Sequence, residues 1–170
     1  MTKDRGRILV ATNRKARHLY VVLETLETGI SLVGNEVKSL RLGRAALGDA
    51  FASVEAHEVW MYNLHIAEYA SSNLAHQRSR IDDTTRRKRK LLLHRTQIVK
   101  WETRVHESGL SLVPLSMYFA DGLVKVELAL VRGKKTWDRR HDLAARDAQR
   151  EVERAMSDHV RGRRRARPAR

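Results

Sequence analysis

The side chains that could do chemistry are plentiful but scattered. Eight histidines, His18, His57, His65, His76, His94, His106, His141 and His159, sit at spacings that match no HExxH zinc helix and no other ligand set. No GxSxG nucleophile elbow, Walker loop or GxGxxG turn occurs, and glycines number only nine. The chain has no cysteine, which removes disulfide scaffolds, zinc ribbons, iron–sulfur clusters and thiol nucleophiles, and suits a reducing cytosol. Asp82 and Asp83 offer neighbouring carboxylates for a magnesium ion, yet adjacent acids in a basic loop usually face solvent. His94, beside a basic run, reads as an RNA-contact or packing residue rather than a general base. No catalytic group, metal or other cofactor is expected, and the chain does not read as an enzyme.

What the chain does carry is charge. Lys and Arg total 34 against 20 Asp and Glu, a net +14 at a pI near 10.8. Such a field draws polyanions and says nothing about fold. From Arg78 to Lys100, nine basic residues stand against Asp82 and Asp83, and the run Arg86-Arg87-Lys88-Arg89-Lys90 lies within that stretch. From Arg132 to Arg170 there are fourteen basic and six acidic residues, and the last ten carry six arginines and no acid. Residues 1–18 add Lys3, Arg5, Arg7, Arg14, Lys15 and Arg17 against Asp4, while 19–77 is comparatively free of basic charge. Basic loops and ends around such a core are the pattern of a compact nucleic-acid binder. A single basic run is often only a solvated loop; three on one chain favour nucleic acid. A membrane surface would attract the same charges but also needs an amphipathic, anchored helix, which only the tail could supply. The uncharged stretch Leu110–Ala120, 11 residues, is too short to span a bilayer, and the first twenty residues lack a secretion-signal pattern. A soluble, cytoplasmic protein is expected.

The elements that must position these charges are mostly strands. With 170 residues and 42% apolar content the chain suits one domain plus a tail. Leu19–Leu26 and Ile30–Val33 flank Glu27-Thr28-Gly29 as one hairpin, and Phe51–Glu55 and Val59–Ile66 flank Ala56-His57-Glu58 as a second. Leu110–Phe119 and Leu123–Val131 flank Ala120-Asp121-Gly122, where the Asp-Gly pair signals a tight turn. Val124, Val126, Leu128 and Leu130 alternate with polar or small residues and mark a core face. Six strands in three hairpins predict an antiparallel sheet closed into a small barrel. Helices are expected at Glu36–Leu42, capped by Asn35 and ended by Gly43, and at 95–108, stopped by Gly109. A third, Asp142–Val160, has a thin alanine-rich face and a stripe of Arg146, Arg150 and Arg154, so it should fold fully only on a partner.

Several segments, in order, carry a family likeness: NRKARHLY (13–20), LETLETGISLVGNEVKSLRLGRAALGDAF (23–51), RKLLLH (89–94) and KVELALVRGKK (125–135), followed by Asp138-Arg139-Arg140. From about residue 8 to residue 160 the chain resembles the SmpB family of SsrA-binding proteins, which serve transfer-messenger RNA (tmRNA) in bacterial trans-translation. The resemblance implies a mainly β fold, an OB-like barrel over 8–135 with short flanking helices. It also implies a flexible N-terminus at 1–7, and a basic tail at 136–170 that is disordered when free and helical on the ribosome. The implied function is to bind the tRNA-like domain of tmRNA and deliver it to stalled 70S ribosomes. Implied partners are tmRNA, the small-subunit decoding centre, the empty mRNA channel and elongation factor Tu, with the protein acting as a monomer.

Carried over residue by residue, Asn13, Tyr20, Glu27, Leu92 and His94 fall at positions associated with the tmRNA contact. Asn13 and His94 would offer donors and acceptors to base edges or 2′-hydroxyls, and Tyr20 would stack on an unpaired base. Leu92 would pack under an extruded base or belong to the core; Glu27 would accept from base amino groups or orient neighbouring arginines. Arg86, Arg87, Lys88, Arg89 and Lys90 would hold phosphates, with Lys38, Arg41 and Arg44 extending the surface. Lys134, Lys135, Trp137, Asp138, Arg139 and Arg140 match the family's junction with the ribosome-contacting tail, and Trp137 would stack on a base where relatives often carry histidine or tyrosine. Arg146, Arg150 and Arg154 would lie on ribosomal RNA phosphates. Two features depart from the family pattern: loop 76–88 lacks a proline before RKLLLH, and the Arg161–Arg170 end is unusually rich in arginine. A basic barrel anchoring ribosomal RNA explains the charge equally well, but not the joint presence of these motifs.

Overall fold

The computed structural model describes residues 6–69, 85–135, 154 and 156. The chain divides into two compact units, 1–133 and 134–170. The first is built from β1 (Ile8–Thr12), α1 (Ala16–Leu19), β2 (Tyr20–Ile30), α2 (Gly34–Arg41), β3 (Ala45–Ala46), β4 (Phe51–Glu55), β5 (Glu58–Tyr62), β6 (His65–Ile66), β7 (Arg89–Leu92), α3 (Arg95–Ser108), β8 (Ser111–Ala120) and β9 (Leu123–Gly133). Six strands form a closed antiparallel ring in the order β8-β4-β5-β7-β2-β9, with β9 returning to β8. This is the expected mainly β, OB-like barrel. β1 adds to the C-terminal half of β8, and β3 pairs with β6 apart from the ring.

Alternation along the strands fills the barrel. Val59, Met61, Leu64, Leu91, Leu112, Met117, Val126, Leu128 and Leu130 are all buried at 2% exposure or less. Trp101 and Ile98 of α3 join this core, and the helix stops at Gly109, whose φ of +57° is the left-handed C-cap conformation that glycine adopts without a Cβ clash. A second cluster, Ala16, Val113, Leu115, Ala129 and Val131, lies on the other face of β8 and β9 beside α1. β9 is therefore buried on both faces at Leu128–Val131.

The hairpins at 51–62 and 111–133 form as the alternation predicts, and Asp121 and Gly122 both take positive φ in the second turn. The hairpin expected at Glu27-Thr28-Gly29 does not form. β2 runs straight through it because β9 pairs with it from Tyr20↔Gly133 to Gly29↔Lys125, and the Thr28 hydroxyl donates to the Val126 carbonyl at 3.3 Å. The strand expected at 30–33 is thus absent beyond Ile30, and β7 takes its place in the ring. The strand expected to reach Ile66 ends at Tyr62, just before Asn63 turns the chain with φ +54°. α2 starts earlier than expected, with Val33 rather than Asn35 at its cap; the Glu36 carboxylate accepts the Val33 N–H at 2.9 Å. Of the tail helix expected at Asp142–Val160, only Arg154 and Met156 are described, both helical and exposed; the rest lies outside the described residues.

Candidate RNA-binding surface

Strand pairing brings residues from five strands into one outward-facing row: Leu92 of β7, Gly29 of β2, Lys125 of β9, Tyr118 of β8 and Leu9 of β1. Their neighbours Leu91, Thr28, Ile30, Val126 and Met117 point inward and are buried. Leu92 is 54% exposed, so it is a surface residue and not core. At Gly29 a Cβ would stand 3.2 Å from the Leu92 Cβ, so the row needs bare backbone there. The next row holds Glu27, Glu127 and Ser116 in register.

Glu27 is enclosed by donors. Its Oε2 accepts from the Tyr118 hydroxyl at 2.5 Å and from Arg7 Nη2 at 3.3 Å, while Lys125 Nζ stands 3.6 Å from Oε1. The Tyr118 hydrogen bond, with the two cations, holds the Glu27 carboxyl below its ordinary value against the opposing effect of burial. Burial and the same carboxylate push the Tyr118 phenol up to about 12, so it remains a donor at neutral pH. Arg7 also lies over the Tyr118 ring, 4.8 Å from its centroid. Glu27 thus sits among cations, consistent with orienting them. Arg7, Tyr118, Lys125 and Gly29 were not among the sequence candidates; the first three lie too far from Glu27 in the chain to give a local signal, and Gly29, two residues from it, reads in sequence as part of a turn.

The basic run at 86–90 splits by strand alternation. Arg86 and Lys88 are exposed and Lys90 half-buried, whereas Arg89 points inward with Leu91. Arg89 is 0% exposed and donates to Glu36 Oε1 at 2.8 Å and to the carbonyls of Leu64, Arg87 and Thr85. The expectation that Arg89 holds phosphate is corrected: its donors are spent inside the fold. Arg87 is half-buried and pairs with the same Glu36. Lys88 lies over the Trp60 ring at 5.0 Å and 3.9 Å from Glu55, and Lys90 pairs with Glu58.

Asn13 is likewise drawn into the fold. It is 5% exposed, its amide donates to the Leu47 carbonyl at 3.0 Å, and its Oδ1 accepts the Ala16 N–H at 3.1 Å. The amide expected to read base edges instead ties the start of α1 to the loop before β4. Tyr20 is half-buried and pairs with Gly133, seven residues along β2 from Glu27, about 23 Å at strand rise. Asn13 and Tyr20 therefore do not join the Glu27 row. Lys38 lies over Tyr69 at 5.6 Å; Arg41 and Arg44 are exposed, Arg41 beside a groove with Leu9 and Gly122. His94 is exposed before α3, its N–H bonded to Gln97 Oε1. Lys134 is half-buried and Lys135 exposed, while Trp137, Asp138, Arg139, Arg140, Arg146 and Arg150 lie outside the described residues. Among the described residues no group of three His, Asp or Glu could hold a metal ion, and no helix is long and apolar enough to cross a membrane.

The SmpB protein family model matches residues 10–158. The chain belongs to the SmpB family. Similar SmpB-family relatives are the SsrA-binding proteins of Saccharopolyspora erythraea, 55% identical over 92% of this chain and 95% of the relative, and of Kineococcus radiotolerans, 51% identical over 93% and 97%. That of Mycobacterium leprae is 53% identical over 92% and 94%. A solved structure described as "tmRNA-SmpB: a journey to the center of the bacterial ribosome" aligns with a TM-score of 0.59 at 46% identity, covering 74% of this chain and 84% of the other. The SmpB match ends before the six arginines of 161–170, so that basic end stands outside the family pattern.

Proposed function

We propose that this SmpB-family protein binds the tRNA-like domain of tmRNA and delivers it to stalled ribosomes in trans-translation. The observation that carries the reading is the outward-facing row in which exposed Leu92 and half-buried Lys125, far apart in sequence, meet at Gly29 beside Glu27. A base-sized apolar contact, bare backbone and a cation side by side suit an unstacked RNA loop better than a regular duplex. Lys88, Lys90, Arg86, Arg41 and Arg44 add phosphate attraction around it.

The division of labour follows the two units. The barrel holds tmRNA; the tail, with Lys134, Lys135, Trp137, Asp138, Arg139 and Arg140, approaches the decoding centre, and Arg146, Arg150 and Arg154 follow ribosomal RNA phosphates along the empty mRNA channel. Elongation factor Tu accompanies the delivery complex. The protein acts as a cytoplasmic monomer and contributes binding rather than catalysis.

The test is binding to the isolated tRNA-like domain across a salt titration, against an unrelated hairpin of equal length. A preference that survives rising salt supports shape and base contacts beyond phosphates. Equal affinities that collapse together would leave only a basic surface, as in a ribosomal RNA anchor.

A further inference from the structure

Glu27 and Glu127 are direct cross-strand partners on β2 and β9, an arrangement that repels on any sheet and is doubly unfavourable where RNA should approach. The fold answers each differently. Glu127 accepts from the Ser116 hydroxyl at 2.8 Å, a neutral contact. Glu27 is instead the centre of a cationic assembly, its Oε2 shared between the Tyr118 hydroxyl and the Arg7 guanidinium.

We propose that Arg7 is a phosphate-binding residue of this surface, and that Glu27 and Tyr118 are the positioning residues that hold it. This rests on the tRNA-like-domain reading and assigns Glu27 a role through Arg7 rather than on a base. Tyr118 can act as a fixed post: it is 5% exposed on β8, a strand paired along both edges. Its hydroxyl sets the carboxylate, and its ring lies 4.8 Å beneath the guanidinium that the carboxylate binds. Arg7 is thereby fixed in two directions although half its side chain, 51%, remains exposed. A pre-oriented planar fork binds phosphate at a smaller entropic cost than a free arginine. The held arginine borders a 420 Å³ cleft with Leu9, Thr25, Ser116 and Tyr118, room for part of a nucleotide; the two carboxylates that also line it are already engaged, Glu27 by Tyr118 and Arg7 and Glu127 by Ser116.

The experiment is a double-mutant cycle on the full chain, measuring affinity and its salt slope for both the tRNA-like domain and the control hairpin. Arg7→Gln should weaken binding about three- to tenfold and lower the salt slope by about 0.7–1. Glu27→Gln removes a negative charge, so simple electrostatics predicts tighter binding; the clamp predicts weaker binding with a partial loss of slope. Tyr118→Phe, which keeps the ring and loses the hydroxyl, should fall in the same direction and less far. The Arg7→Gln/Glu27→Gln double variant should bind no worse than Arg7→Gln alone. Tighter or unchanged binding by Glu27→Gln, or additive losses with an unaltered slope, would overturn the proposal, the latter in favour of direct base contact. A wild-type chain without preference for the tRNA-like domain would sink the functional reading alone, because coupling between Arg7 and Glu27 is read on either RNA. Denaturation midpoints for each variant separate lost folding from lost binding.

Discussion

Arg89 Nε donates to Glu36 Oε1 at 2.8 Å across 53 residues of sequence, with the arginine side chain 0% and the glutamate side chain 10% exposed. This contact joins the first turn of α2 to the first residue of β7. The same carboxylate accepts the Val33 N–H and the Nε and Nη2 donors of Arg87, while Arg89 also closes on three backbone carbonyls. A buried charge pair this completely hydrogen-bonded fixes where β7 enters the ring, and so fixes which of Lys88–Leu92 face outward.

Breaking either half should be severe: Glu36→Ala leaves the Arg89 charge buried without its carboxylate, and Arg89→Met strips the Leu64, Arg87 and Thr85 carbonyls of their donor and leaves the Glu36 charge to Arg87 alone. Arg89→Met or Glu36→Ala should destabilise the protein by about 3–5 kcal/mol in urea or thermal denaturation. Arg86→Gln, on the exposed side of the same run, should change stability by less than about 0.5 kcal/mol and weaken RNA binding instead. Equal stability losses at the two arginines would contradict this assignment.

The Glu36 contact also sets an acid limb. Burial pushes the Glu36 carboxyl up, but the Arg87 hydrogen bond, the Val33 amide and Arg89 outweigh it and leave it below its ordinary 4.5. Its folded value being the lower one, Glu36 contributes stability that is complete above about pH 4.5 and is lost as pH falls through the folded value. Glu24, lowered by its Lys100 hydrogen bond, and Glu27, lowered by Tyr118, act in the same direction. Denaturation midpoints of wild type should therefore drop with acid, and Glu36→Gln should flatten that drop while lowering stability at neutral pH.

Asn13→Ala should cost about 1–2 kcal/mol of stability, the loss of a cap and of a buried amide bond. Its effect on RNA affinity, measured on the folded fraction, should be small beside that. A variant of wild-type stability with lost affinity would return Asn13 to base reading.

Leu92→Ala should leave stability within about 0.5–1 kcal/mol, since the side chain already faces solvent, yet weaken tRNA-like-domain binding. Gly29→Val should mimic it, because even a Cβ would meet Leu92 at 3.2 Å and displace it from the row. Parallel losses in RNA affinity, measured by filter binding, identify the row as the contact.

Truncation after Lys135 should leave tmRNA affinity nearly intact and abolish tagging of stalled peptides in a translation extract. Trp137→Ala should impair accommodation on the ribosome while sparing RNA affinity. Equal loss of both activities on truncation would refute the separation of barrel from tail.

The sequence made the local features legible. The 51–62 and 111–133 hairpins and the helix at 95–108 follow from alternation, turn residues and a closing glycine, all within a few positions of one another. The misread segment 27–33 failed for the opposite reason: its partner, β9, lies about a hundred residues away, and long-range pairing overrode a weak turn signal. Arg89 was hidden by composition, since a run of five basic residues looks solvated throughout. A signal was present: period-two alternation puts Arg89 on the face of Leu91, the one buried in the barrel. Nothing in the sequence could bring Arg7 and Tyr118 to Glu27, because they come together only through the pairing of β8 with β1 and β9.

β9 pairs with both β2 and β8, and it is the last strand of the ring to be synthesised. A chain cut anywhere before Leu123 has no closed barrel and no Lys125, only a sheet with two open edges, the kind of surface that aggregates or is degraded. Truncated translation of its own message therefore yields no partial activity: the supply of a factor proposed to handle broken messages depends on at least one message being read through.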